Sequence, residues 1–254
     1  MKKTISLLLC VIFCFACFAP AAFAADQKTI KAATNVAFPP YEYYEDEKAV
    51  GIDVDIMQAI CDKLGYEMEL SDMEFGSIIT AVASGKVDVG FGAITITEER
   101  AKSVHFTTPY DSGIQAIIVK EDSKIAGIDD LGAKGIKIGV QQDTTGDILA
   151  TDQFGEDHMA RFNKGADAVQ ALITGKCDAV IIDNAPAETF VSLNKGLKVL
   201  PTAFYQEDYG FELSLDNDEL YNEINGALEE LIADGTVQAI KDKYNNADKA
   251  ESAD

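Results

Sequence analysis

Two arginines, Arg100 and Arg161, stand in a 254-residue chain whose other cationic residues are lysines apart from two histidines. A guanidinium is a planar, permanently charged fork that can hold a carboxylate through two parallel hydrogen bonds, which a lysine cannot do. Arg100 ends the segment Thr95-Ile96-Thr97-Glu98-Glu99-Arg100, just after the apolar strand pattern Val87–Phe91. That spacing puts it at the carboxyl end of a strand, opening a helix, where α/β sheets bind ligands. Free N–H groups of a helix start add donors for the same carboxylate. On the residues alone, an arginine behind two glutamates reads first as a solvated ion pair on a helix face. Asp183 ends the apolar run Ala179-Val180-Ile181-Ile182, again at a carboxyl edge. It offers an acceptor for an ammonium, and equally an N-cap for a helix starting at Ala185. A guanidinium and a carboxylate placed at two strand ends could together hold a zwitterion.

Other side chains could line such a site. Phe38 lies in a polar loop beside Pro39-Pro40, and Phe75 lies in Asp72-Met73-Glu74-Phe75-Gly76, both settings that direct a ring toward the surface. Thr95 and Thr145 offer hydroxyl or backbone donors or ordinary helix caps, Gln141 ends a strand, and Tyr41 is a weaker candidate of the same kind. The residues needed for other chemistries are missing. His105 and His158 are far apart, there is no HExxH or CxxC spacing, and no Gly-rich phosphate loop occurs. Asp216-Asn217-Asp218 lacks the remaining ligands and glycine of a calcium loop. Asp53 and Asp55 are expected on one face of an extended segment leading into a helix, as caps and loop anchors. No metal and no cofactor is expected.

The elements that must position these residues alternate between short apolar strands and amphipathic helices, the pattern of an α/β layer fold. Strands are predicted at Ile30–Ala33, Tyr66–Leu70, Val87–Phe91, Ile136–Val140 and Ala179–Ile182. Helices are predicted at Asp55–Leu64, Ile78–Ala83, from Thr144 to Leu149, and at Ala166–Leu172. A long helical stripe follows through Leu220, Ile224, Leu228, Leu231 and Ile232, then a final turn Val237–Tyr244 and a polar tail from Lys249. Pro109–Val119 and Pro201–Leu213 are extended and rich in β-formers. The chain is therefore expected to cross twice between two similar lobes.

Residues 1–24 read as a signal peptide, with Lys2 and Lys3, an apolar run Ile5–Phe18, and Ala22-Phe23-Ala24 as the cleavage pattern. Cleavage after Ala24 is expected, with acylation of Cys17 as the alternative. The apolar run is too short to span a bilayer. The formal charge of −22 disfavours nucleic acid and anionic lipid as partners. Cys61 and Cys177 lie far apart, and are expected as small buried helix residues.

Gly51-Ile52-Asp53-Val54-Asp55-Ile56, with Ile60-Cys61 and Leu64, resembles the signature of the polar amino-acid branch of bacterial extracellular solute-binding proteins. Asn35-Val36-Ala37-Phe38-Pro39-Pro40-Tyr41-Glu42 is similar to that family's first-strand loop, Ile94 to Arg100 to its ligand-clamping turn, and Phe106-Thr107-Thr108-Pro109-Tyr110 to its lead into the hinge. Val140 to Gly146 and Asp178 to Asp183 fall where the second lobe supplies contacts. The resemblance spans Thr29 to Tyr244. It implies a periplasmic-binding-protein type II-like α/β fold, with lobes 25–112 plus 205–254 and 113–204 joined by two hinge strands around a cleft. It also implies capture of a polar L-amino acid, such as glutamine or arginine, by a monomer outside the cytoplasm, and delivery to the permease of an ABC importer. Ligand contacts are implied at Asn35, Phe38, Tyr41, Phe75, Ala93, Ile94, Thr95, Arg100, Gln141, Thr145 and Asp183. Arg100 would take the carboxylate, Asp183 the ammonium, and Phe38 and Phe75 would sandwich the side chain. Three departures touch the ligand: Asn35 stands where Asp is often found, Ala93 where Gly or Ser is frequent, and Asp143 where Gly is common. Two alternatives share the fold: a cyclohexadienyl dehydratase-like enzyme, with Glu42 or Asp143 as its acid, and a sensory module presenting bound amino acid to a receptor.

Overall fold

A computed structural model describes residues 28–201 and 205–251, with side chains through 245. The expected signal peptide, residues 1–24, and Cys17 within it lie outside the described residues. The chain opens with β1 (Thr29–Thr34), a hairpin of β2 (Tyr43–Glu45) and β3 (Lys48–Val50), α1 (Ile52–Leu64) and β4 (Glu67–Asp72). Then come α2 (Phe75–Ala83), β5 (Val89–Gly90), a 3₁₀ turn Arg100–Lys102, β6 (Val104–Phe106) and the long β7 (Asp111–Lys120). Next follow β8 (Ile138–Gln141), α3 (Thr145–Phe154), β9 (Met159–Phe162), α4 (Gly165–Ile173), β10 (Ala179–Asp183), α5 (Asn184–Leu193) and β11 (Leu197–Val199). The return is β12 (Gln206–Tyr209), β13 (Glu212–Ser214), α6 (Asp218–Ala233) and α7 (Thr236–Glu251).

Among the described residues two large sheets form beside the two-stranded β2–β3 hairpin, one in order β4-β1-β5-β13-β6 and the other in order β11-β7-β10-β8-β9. The parallel neighbours β1/β4, β1/β5, β8/β9 and β8/β10 arise from strand–helix–strand crossovers. A ribbon links the sheets: β12 pairs antiparallel with the first residues of β7, Asp111 to Ile114, while later β7 residues pair with β10 and β11. The two-lobed α/β fold expected from the sequence is therefore present.

Helix α1 shows how the sequence fixes these layers. Its Ile52, Ile56, Met57 and Ile60 are fully buried, each worth about 1.5–3 kcal/mol of transfer free energy. Its start depends on Gly51, where φ is 137° and a Cβ would come within 2.1 Å of the Tyr41 carbonyl oxygen. The helix begins at Ile52, earlier than the apolar spacing predicted, and this corrects the placement of two acids. Asp53 and Asp55 occupy its first turn, where residues two apart point in different directions. Asp53 is buried beneath the 92–93 turn, whereas Asp55 accepts from Lys243 Nζ at 2.7 Å and Tyr244 Oη at 2.8 Å. Helix α7 continues through Lys249 to Glu251, past the expected start of a polar tail. Cys61 lies in α1, but Cys177 lies in the turn before β10 and not in a helix; both are buried and free.

Candidate functional site

Between the two sheets is a cavity lined from both sides. Asn35, Phe38, Glu42, Phe75, Gly92, Ala93 and Thr95 line it from the β1–β5 side, and Gln141, Thr144, Thr145, Ile181, Ile182 and Asp183 from the other. Phe38 and Glu42 form an isolated antiparallel bridge around the cis Pro39–Pro40 bond, with Phe38 N–H donating to the Glu42 carbonyl at 2.7 Å. Bridged residues share a face, so the ring and the carboxyl enter the cavity together. Tyr41 is turned the other way. Its hydroxyl donates to Asp111 Oδ2 at 3.2 Å, and its ring meets Tyr209 edge-on at 5.5 Å. The structure thus places Tyr41 behind the Phe38 wall, away from the cavity lining. Ile94 is likewise outside it, packed with Ala33, Ile78 and Val104.

The turn that carries Arg100 is anchored from below. Ala93 adopts a left-handed φ of 46°, and its N–H donates to Asp53 Oδ2 at 2.7 Å, an oxygen that also accepts from Tyr110 Oη at 2.6 Å. Such a backbone is strained for a residue with a Cβ. The Arg100 guanidinium lies 5.5 Å from the Phe75 ring centroid, beside the cavity. Its Nη1 donates to the Thr95 carbonyl at 3.0 Å and its Nη2 to the Asp143 carbonyl at 3.3 Å. Burial lowers its pKa, while Glu212, Glu207, Asp183 and Asp143 act in the opposite sense.

On the opposite wall, Asp183 occupies the N-cap position of α5 but its side chain makes no capping bond. Oδ2 accepts from Tyr209 Oη at 2.8 Å, and Oδ1 accepts from Gln115 Nε2, its cross-strand partner in the β7–β10 ladder. Burial, and then the neighbouring Glu207 carboxylate, hold the Asp183 carboxyl well above the usual range despite those donors and Arg100. Thr144 caps α3, leaving the Thr145 hydroxyl to donate across the cleft to Thr95 Oγ1 at 2.6 Å. Gln141 Nε2 donates to Asn35 Oδ1 at 3.0 Å, and Asn163 Nδ2 donates to Glu74 Oε1 at 2.8 Å. With the Arg100–Asp143 bond, these contacts describe a closed cleft. Asp143 itself is exposed, with a φ of 64°, the conformation that favours glycine there.

Several cavity groups escaped the sequence reading of ligand contacts. Glu42 is 1% exposed and its Oε2 has no partner. Burial, then Asp53 and Asp183, push its pKa well above the usual range. Gln115, Glu207 and Tyr209 lie on the linking ribbon directly beneath Asp183 and Thr95. The sequence signal for them is the extended, β-rich character of Pro109–Val119, which carries Gln115, and of Pro201–Leu213, which carries Glu207 and Tyr209; it marks a crossing and not a site.

The profile described as bacterial extracellular solute-binding proteins, family 3, matches residues 30–247. The "Arginine-binding extracellular protein ArtP" of Bacillus subtilis (strain 168) is 33% identical over 98% of this chain and 100% of its own length. The "ABC transporter arginine-binding protein 1" of Escherichia coli (strain K12) is 30% identical over 96% of this chain and 99% of its own. Among solved structures, an ancestral arginine-binding protein bound to glutamine superposes with a TM-score of 0.81 at 39% identity, covering 86% of this chain and 98% of that one.

Proposed function

The chain belongs to family 3 of the bacterial extracellular solute-binding proteins, and from that premise we propose that it captures a polar L-amino acid by cleft closure and delivers it to the permease of an ABC importer. The observation that carries this reading is a cavity whose lining holds Asp183 on one side and, on the other, Phe75 and Thr95, the two residues against which the Arg100 guanidinium rests. A zwitterion needs both groups, and Asp183 joins the Arg100 side only when the second sheet closes on the first. Ligand therefore favours the closed state through contacts that only closure completes. Relatives that are binding components of transporters support a binding protein over an enzyme. In the dehydratase reading the acid would be Glu42 or Asp143, but Asp143 faces solvent and Glu42 has a better use as a charge partner.

Glu42 sharpens the ligand class. Its unpaired carboxyl shares a face with the Phe38 ring, so a planar cation stacked on that ring would meet it. It supplies the negative charge that Asn35 lacks, and favours arginine-like side chains over neutral ones. We assign the lobes to 25–112 plus 205–254 and 113–204, with a monomer exported by cleavage after Ala24. The test is a thermal-shift screen of the twenty amino acids: a true ligand at 100 times its Kd adds about 2.7 kcal/mol of stability. A flat screen would refute the proposal.

A further inference from the structure

On β12 the burial alternates: Gln206 and Asp208 are exposed, Glu207 and Tyr209 buried. Alternate residues of a strand share a face, so both buried side chains enter the space between the sheets. Tyr209 reaches Asp183, while Glu207 bonds in two directions. Its Oε2 accepts from Thr95 Oγ1 at 2.6 Å and its Oε1 from Gln115 Nε2 at 2.7 Å. Each donor is one step from a charged group of the cleft: the Thr95 carbonyl accepts from Arg100, and the same Gln115 Nε2 donates to Asp183. The backbone reinforces the first link, since Ile96 N–H donates to the Asp208 carbonyl at 2.9 Å and Gly210 N–H to the Ile94 carbonyl at 3.1 Å. The turn carrying Arg100 therefore hangs on β12.

A glutamate 4% exposed, placed near a second buried carboxylate, is costly. Packing alone does not call for it. Two converging donors do, because a carboxylate accepts from both as they stand, whereas an amide turned to accept from Gln115 would make the Thr95 hydroxyl rotate from donor to acceptor. We propose that Glu207 is a positioning residue for ligand capture: from the strand linking the two sheets it holds the Thr95 platform of Arg100 on one side and the Gln115–Asp183 pair on the other. One hinge carboxylate thus sets the spacing between the two charge partners of the ligand. The inference rests on the roles given above to Arg100 and Asp183.

The test uses the full-length exported protein with Glu207→Gln and Gln115→Leu, titrated calorimetrically with the amino acid that binds wild type best. Kd rises about tenfold or more in both, the scale expected when a hydrogen bond to a charged group is lost. The pH below which affinity falls separates positioning from general damage. Asp183 is faced by Glu207 and Tyr209 from β12, Gln115 from β7, and Arg100 and Glu42 from across the cavity. Removing the Glu207 charge lets Asp183 stay ionised to lower pH, so the acid limb moves down; removing the Gln115 donor moves it up. Unchanged Kd in Glu207→Gln, or acid limbs that shift the same way, overturns the proposal. If Glu207→Gln does not fold, Gln115→Leu decides: weaker binding with an upward limb supports the role, and an unmoved limb overturns it. A wild-type protein that binds no amino acid defeats the functional reading instead.

Discussion

Glu212 on β13 offers a test of the electrostatics beneath the site. It is 1% exposed, neither carboxyl oxygen has a hydrogen-bond partner, and its strand neighbours are Gly90 and Phe106. Burial pushes its pKa from 4.5 up to about 7, with Arg100 the opposing influence. Between those values the folded protein holds a proton that the unfolded chain has released, so stability falls as pH rises through the window. Each pH unit costs about 1.4 kcal/mol, giving a loss of about 3 kcal/mol on passing from 4.5 to above 7. Glu212→Gln keeps the shape and removes the titration. Urea unfolding followed by far-ultraviolet circular dichroism at several pH values gives the comparison. The stability of the variant relative to wild type should improve by about 3 kcal/mol across that window. Asp53, whose pKa burial also raises to about 7, contributes the same slope to both proteins and cancels. A difference between variant and wild type that stays constant with pH would falsify the assignment of an uncompensated buried carboxyl.

Arg100→Ala and Asp183→Asn each remove one partner of the zwitterion and should raise Kd by about 10- to 100-fold, from the 1.5–3 kcal/mol of a charged hydrogen bond; calorimetry reads the change. Glu42→Gln should weaken binding of arginine and lysine by about tenfold while leaving glutamine within about twofold. In wild type, affinity for those cations should strengthen with rising pH, because Glu42 must give up its proton to pair with them. Gly113→Ala would place a Cβ 1.9 Å from the Tyr209 hydroxyl. It should cost about 1–3 kcal/mol of stability by overpacking and also weaken binding, because the displaced Tyr209 leaves Asp183; normal affinity in a folded variant would contradict that link.

Much of the fold was legible because its signals are local. The spacing-four stripe Ile56, Ile60, Leu64 and the apolar run Ala179 to Ile182 need no partner to be read, and both became the expected element. Residue type alone left Arg100 and Asp183 open between a site and ordinary surface or capping roles; the resemblance pointed to them and to Phe38 and Phe75, and of the four Phe38, Phe75 and Asp183 line the cavity. What stayed hidden depends on long-range register. Asp53 looked like a cap because sequence spacing could not show Ala93 lying above it, 40 residues away. Tyr41 and Glu42 are adjacent, and only the bridge to Phe38 decides which of them faces the cavity.

The acids of the return segment show why charge in a sequence can mislead in a particular direction. Glu207 and Glu212 lie among Asp208, Asp216 and Asp218 in a strongly acidic chain, where any carboxylate is first assigned to the solvated surface. Both are buried, and the cation that acts on both is the Arg100 guanidinium. A cleft that buries several carboxyls around one arginine is incompletely neutralised, and burial raises the proton affinity of each of them. An entering ammonium or guanidinium relieves that imbalance, whereas an anionic ligand adds to it. Under the proposed function, that electrostatic cost should favour cationic over neutral amino acids and neutral over acidic ones. Glutamate and aspartate should be the weakest ligands of the twenty, and a protein that bound them as tightly as arginine would break this chain of reasoning at its first step.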